Sequence, residues 1–337
     1  MVDPASSGAE KERVMLDQAL LDATRLTRRP WAQRFIAEAF LRQDYRKIEL
    51  VVEGDDRIPS TPVVYAMNHT DDFSYWPIQY HLHRRFARYT ATWVKGKNYE
   101  HPVMRTFMRS TNNIPIPSRG YLLTRDFVNA TGRKPTEEEY RILRDSVNDL
   151  EPPKGRLPEA LVGHPRDMLG RRFDPGRESY GVALEALFQQ MMRRFVELNE
   201  EALRIGLDLL VFPQGTRSRR LSRGHIGLAQ MALHLGATIV PIGCSGGDVI
   251  YPKRSPLTSP GRVTYRIGDP IPPSELARFS VPPGTRPFER ESETRHRARY
   301  QGLVDYVMDR IDGLLDEPYQ YSHDAKSDGT VGTSRFV

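Results

Sequence analysis

PVVYAMNHTDDFSY, residues 62–75, decides the fold. Its first six residues are apolar and rich in β-branched and aromatic side chains, as in a buried strand. The next seven, Asn68 to Ser74, are turn formers, and a helix is predicted to begin near Tyr75. A strand that runs through a polar turn into a helix is the opening of an α/β unit. Outward from it, the same short apolar runs recur as IELVVEG (48–54), TATWVK (90–95), LDLLVF (207–212), ATIVPI (237–242) and RVTYRIG (262–268), separated by helical stretches. The reading is an α/β fold: a single domain with a central mixed, largely parallel sheet flanked by helices.

Helical periodicity fills the gaps. Leu184, Phe188, Met191, Phe195, Leu198 and Ala202 fall on one stripe, and Tyr300, Leu303, Val307, Ile311 and Leu314 on another, so both helices are expected to pack on the sheet. Residues 9–29 and 31–45 read as a helical pair, and the second carries an arc of Phe35, Ile36, Ala39 and Phe40 that suits either core packing or a membrane surface. The segment 120–179 is rich in Arg, Pro and Gly, with a helix predicted over 136–150 behind a Thr136/Glu139 capping box. It reads as an insertion, either a lid or a surface excursion. The resulting organisation is an N-terminal helical region (1–46), an α/β domain (47–317) and a flexible tail (318–337).

Of the 337 residues, 27% are charged and 39% hydrophobic, which fits a folded globular domain. Cys244 is the single cysteine, so neither an intrachain disulfide nor a multi-cysteine metal site can form, as suits a reducing cytosol. The opening MVDPASSGAEKERV lacks the apolar region of an export signal, and no run of 18 apolar residues occurs. The net charge of +6, with clusters at Arg28-Arg29, His83 to Arg85 and Arg217 to Arg223, points to an anionic partner. No nucleic-acid recognition motif accompanies it, so anionic lipid or a phosphorylated small molecule is expected.

Two motifs carry chemistry. In Asn68-His69-Thr70-Asp71-Asp72-Phe73-Ser74, a histidine sits on a strand-to-helix turn, the carboxyl edge where α/β enzymes place their sites. Neutral imidazole, with an ordinary pKa near 6.5, can take a proton from an alcohol, and a nearby carboxylate would stabilise the imidazolium. Taken alone, the same turn is also a helix start capped by Asp71 or Asp72. The second motif, Phe212-Pro213-Gln214-Gly215-Thr216-Arg217-Ser218-Arg219, also follows a strand and offers donors suited to a phosphate. It is no P-loop, because the GxxxxGK[ST] pattern is missing. Two weaker pieces are IPIPSR (114–119), a short strand ending in Arg119, and IVPI (239–242).

Taken in order, His69, then Val94-Lys95 and His101-Pro102-Val103-Met104, then IPIPSR, FPQGTRS and IVPI resemble the four-block signature of the glycerol-3-phosphate and lysophosphatidic acid acyltransferase superfamily. The resemblance covers residues 47–270 outside the insertion. It implies an O-acyltransferase that takes an acyl group from acyl-CoA or acyl-carrier protein and needs neither cofactor nor metal. The acceptor is a phosphate-bearing glycerol or lysophospholipid, and the enzyme is cytoplasmic, held peripherally at the inner face of the membrane. By position, His69 is the base, Arg119 and Arg217 are phosphate ligands, and Gly215 and Thr216 shape the pocket.

The chain departs from that signature twice. The aspartate expected five residues after the histidine is Ser74, and the glutamate of the third block is Gln214. Serine cannot stabilise an imidazolium by charge, and in a Ser-His-Asp triad neutralising the supporting aspartate costs about 10⁴ in turnover. Asp72 is the favoured substitute partner of His69, with Ser74 and Gln214 among the substrate-binding residues. A catalytically impaired lipid-binding relative is the other reading.

Overall fold

The computed structural model describes residues 15–148, 156–252 and 255–321. The strands in chain order are β1 (Ile48–Glu53), β2 (Val64–Met67), β3 (Thr90–Lys95), β4 (Asn113–Ile116), β5 (Arg166–Met168), β6 (Arg171–Phe173), β7 (Asp208–Val211), β8 (Ile239–Ser245) and β9 (Gly261–Ile267). Seven form one sheet in the order β1-β9-β8-β2-β7-β3-β4, while β5 and β6 make a separate hairpin. Strands β8, β2, β7, β3 and β4 are mutually parallel, and β9 turns against β8 and pairs in parallel with β1. The sheet is therefore mixed and largely parallel, as the sequence pattern predicts.

Strand β2 is central and buried along its whole length, which is why it reads as a continuous apolar run without polar alternation. Its side chains still divide by period two. Val64 and Ala66 face a core shared with helices Tyr180–Arg204 and Arg290–Asp312. Tyr65 and Met67 face the opposite core, with Trp76, Ile78 and Leu82 of helix Trp76–Phe86. Cutting Phe195, fully buried on the long helix, to alanine is expected to cost about 3–5 kcal/mol.

The N-terminal pair departs from its periodicity. Residues 1–14 lie outside the described part, and the first helix shrinks to Gln18–Asp22, capped by the Asp17 carboxylate on the Leu20 N–H. The Thr24 hydroxyl turns back to the Leu20 carbonyl, and Thr27 is clasped through both backbone groups by the Asn112 side chain. The Asn112 bonds, and the Pro30 that follows, outweigh the helical pattern. The second helix starts at Trp31 and widens into an i→i+5 turn over Ile36–Leu41. Ile36 and Phe40 are half-buried, whereas Phe35 and Ala39 stay exposed.

The segment 120–179 begins as core. Helix Arg119–Thr131 buries Tyr121, Leu122, Leu123 and Phe127 beside the long helix. Asp126, fully buried on that helix, accepts two bonds from Arg166 (2.7 and 2.6 Å) and one from the Tyr180 hydroxyl (3.0 Å). The capping box is formed: the Glu139 carboxylate accepts from the Thr136 N–H, and the Thr136 hydroxyl from the Glu139 N–H. Its helix runs Glu137–Asn148, and the two further residues predicted for it lie outside the described part. The C-terminal helix stops at Asp312, two residues short of the Leu314 stripe position. Beyond it, the predicted tail is ordered as far as Tyr321: Tyr319 is buried and donates its hydroxyl to Asp248. The rest of the predicted tail is outside the described residues.

Candidate active site

Both motif turns meet at the carboxyl edge of the parallel strands, with the ends of β8, β2, β7, β3 and β4 side by side. Asn68 ties the first of them to its neighbour. Its amide donates to the Cys244 carbonyl (2.9 Å) and accepts from the Cys244 N–H (2.7 Å), extending the β2–β8 pairing by one side chain. His69, next along, is held from the other side by the second motif. Its N–H donates to Gln214 Oε1 (2.9 Å), its carbonyl accepts from the Ser218 N–H (2.9 Å), and its ring stacks on Phe212 at 4.2 Å.

That setting controls the imidazole. Burial, then the positive charge of Arg217, and more weakly Lys95, push its pKa down, while Asp72 pulls it up; the result is about 3, far below its ordinary 6.5. The ring is therefore neutral across the physiological range. Its Nδ1 is buried and has no hydrogen-bond partner among the described residues.

Three side chains of the same turn could serve that nitrogen. Asp71 is occupied within its own turn, accepting from the Phe73 N–H (2.7 Å) and the Thr70 hydroxyl (2.8 Å). Ser74 is fully buried with no partner for its hydroxyl, packed where a β-carbon on Gly247 would come within 3.0 Å of it. Asp72 acts on the ring by charge, and its carboxylate is ion-paired to Arg217.

The remaining expected residues separate into two groups. Gln214 is buried with both ends of its amide bonded to protein, the oxygen to His69 and the nitrogen to Ser222 Oγ (3.2 Å). Gly215 sits at φ +65° with its α-carbon against the His225 ring, where a β-carbon would lie 2.8 Å from His225 Cδ2. Thr216 is buried beside it. Arg119, by contrast, is away from His69's contacts. Its guanidinium holds Glu185 with two bonds (2.8 and 2.9 Å) and Glu293 with a third (3.2 Å), lying 4.0 Å over the Phe188 ring.

Beside the histidine opens a cavity of about 380 Å³. Trp93, Ile116, Tyr121, Val211, Phe212 and Leu228 give it an apolar wall, and Lys95, Lys97 and His225 add cationic or ionisable groups. Phe212 belongs to both the wall and the His69 stack, so the imidazole adjoins the cavity. In the ordered sequence blocks Lys95 stands beside Val94 with no role of its own. Lys97 and His225 carried no motif, and Asn68 gave no sign of its bridging role. Among the described residues, no group of three or more His, Cys, Asp or Glu side chains is placed to hold a metal, and no helix is long and apolar enough to cross a membrane.

No family model matches the chain, and no curated protein matches it. Among solved structures it is similar to the 1-acyl-sn-glycerophosphate (LPA) acyltransferase PlsC from Thermotoga maritima, with 16% identity, a TM-score of 0.41 and 87% of each chain covered. So distant a likeness identifies neither family nor activity.

Proposed function

We propose that the protein is an O-acyltransferase that moves a fatty acyl group from acyl-CoA or acyl-carrier protein to a hydroxyl of a glycerol-phosphate or lysophospholipid acceptor. The observation that carries this reading is the meeting of His69 and Arg217 beside an apolar cavity edged by lysines. An acyl chain needs the apolar wall, a phosphate needs cations, and a hydroxyl to be activated needs a neutral base. The ordered sequence blocks point the same way.

The acceptor phosphate docks on Arg217, with Lys95 near, while Arg119 can contribute only by exchanging one of its carboxylates. The His69 ring takes the hydroxyl proton as the oxygen forms a bond to the thioester carbonyl carbon. Collapse of the tetrahedral species breaks the C–S bond, and the imidazolium returns its proton to the leaving thiolate. Free thiol and an ester are the products, with no covalent acyl-enzyme. The enzyme works peripherally at the inner face of the membrane. Trp31 and Phe35, 72% and 63% exposed, stand beside the exposed Arg28, Arg29 and Arg34, a pairing suited to an anionic lipid surface.

The test is release of free CoA thiol from acyl-CoA with lysophosphatidic acid or glycerol 3-phosphate. His69→Ala is expected to lower the rate about 10²–10⁴-fold, the usual contribution of a positioned base. Unchanged release by that variant sinks the assignment. The unpartnered Nδ1 favours a second reading, a lipid-binding relative with impaired catalysis. Lysophospholipid binding without turnover on any donor would support it.

A further inference from the structure

Beyond the C-terminal helix, the chain lies across the arginine loop of the second motif. It is fastened on either side of that crossing: the Asp316 N–H donates to Ser245 Oγ (3.0 Å) at the end of β8, and the Tyr321 N–H to the Asp312 carboxylate (2.8 Å). Between these points it holds the loop. The Tyr319 carbonyl accepts from the Leu221 N–H (2.8 Å), and the Arg220 guanidinium donates to the Glu317 carbonyl and carboxylate (3.3 and 3.1 Å). Arg219 lies 5.6 Å over the Tyr319 ring and 3.6 Å from the Asp248 carboxylate.

Tyr319 also reaches towards the histidine turn. Its hydroxyl donates to Asp248 (2.6 Å), which follows Gly247, and a β-carbon on Gly247 would lie 2.7 Å from both the Asp71 carboxylate and the Thr70 hydroxyl. One buried residue is thus bonded to the loop that carries Arg217 and to the short helix packed on the turn that carries His69. Residues 212–226 contain no helix or strand, so outside bonds of this kind set the shape of the loop.

We propose that Tyr319 is a positioning residue of the phosphate site, a clamp that holds the Arg217 loop against the histidine turn before the acceptor arrives. This rests on the acyltransferase reading. With the clamp in place the loop is already ordered, and without it part of the phosphate's binding energy is spent on ordering the loop. The effect falls on acceptor affinity, because the clamp touches neither the cavity wall nor the imidazole.

Tyr319→Ala should weaken binding of inorganic phosphate about tenfold by calorimetry and raise KM for glycerol 3-phosphate by about the same factor. Its kcat and its KM for acyl-CoA should stay within about threefold of the wild type. Tyr319→Phe keeps the ring and the backbone bond and loses only the bond to Asp248, so its phosphate affinity should fall between the two. Asp248→Ala separates the clamp from charge. Loss of an anion beside Arg219 would tighten phosphate by charge alone, whereas a loosened clamp weakens it. Phosphate affinity that is unchanged or tighter in Tyr319→Ala or Asp248→Ala overturns the proposal, as does a fall in kcat as large as the rise in KM. A wild type that binds no phosphate overturns it as well. If the wild type releases no CoA with any acceptor, the acyltransferase reading has failed, and the clamp is judged by the phosphate affinities alone. Should Tyr319→Ala melt far below the wild type, Tyr319→Phe and Asp248→Ala decide under the same criteria.

Discussion

Arg217 and Arg119 were assigned one role by their motifs, yet their surroundings differ in kind. Arg119 is gripped by two carboxylates from two different helices and lies over an aromatic face, with its side chain 24% exposed. Among the described residues Arg217 is paired with one carboxylate, that of Asp72 in the neighbouring turn, and it is 38% exposed. A guanidinium whose fork is filled by protein braces the fold, whereas one in a loose pair can exchange its partner for a ligand. Motif position alone does not separate the two; counting the carboxylates around each does.

The sharpest way to break this contrast is to truncate each arginine. Arg217→Ala should cost the acyl transfer reaction about 1.5–3 kcal/mol in kcat/KM, the range for a charged hydrogen bond, and leave the melting temperature nearly unchanged. Arg119→Ala should do the reverse. It removes the guanidinium that holds Glu185 and Glu293 together, and an unfolding free energy lower by about 2 kcal/mol is expected. That figure sits below the cost for a fully buried pair because both carboxylates keep some water. Equal losses of activity from the two variants would show Arg119 to be a ligand after all.

Gly215→Ala probes the site's scaffold with a smaller effect. The left-handed backbone costs a non-glycine residue about 1–2 kcal/mol, and the new methyl must also displace the His225 ring. Chemical denaturation reads the first, and a raised KM for donor or acceptor reads the second.

A further contrast is in stability against pH. For His69 the folded value is about 3 against an ordinary 6.5, so between those limits the unfolded chain binds a proton that the native one does not. Its contribution is complete above pH 6.5 and shrinks as pH falls towards 3. For Glu185, burial works upward, but the bonds from Arg119 outweigh it and the net shift is below the ordinary 4.5. That contribution is complete above 4.5 and is lost only at lower pH. Urea midpoints for His69→Gln should therefore lose the slope between pH 6.5 and 4.5, while Arg119→Ala lowers the curve above pH 4.5 and removes the decline that the wild type shows below it.

The layout of the sheet was readable from residues because each central strand is buried on both faces and so leaves an unbroken apolar run. Met67 and Tyr65 needed no partner to be identified as strand; their composition sufficed. The turns at the strand ends were also visible, since their polar residues interrupt those runs. What stayed hidden depends on distant parts of the chain. The carboxylates on Arg119 come 66 and 174 residues later. The first helix is shortened by Asn112, 85 residues from Thr27. Lys97 and His225 reach the cavity only through the way their loops pack, and the direction in which Asp72 points is settled by a cation 145 residues along the chain. Local pattern carries no signal for such pairings.

The Gln214 amide, with the Ser218 N–H, welds two loops that are remote in sequence into one plate. Phe212 is part of that plate and also of the cavity wall. Any breathing that widens the cavity on this side therefore carries the imidazole along with the wall. Ile116 and Tyr121 line the cavity outside that plate, so under the proposed activity acyl chains of different girth would be met by movement there, leaving the spacing of His69 and Arg217 unchanged.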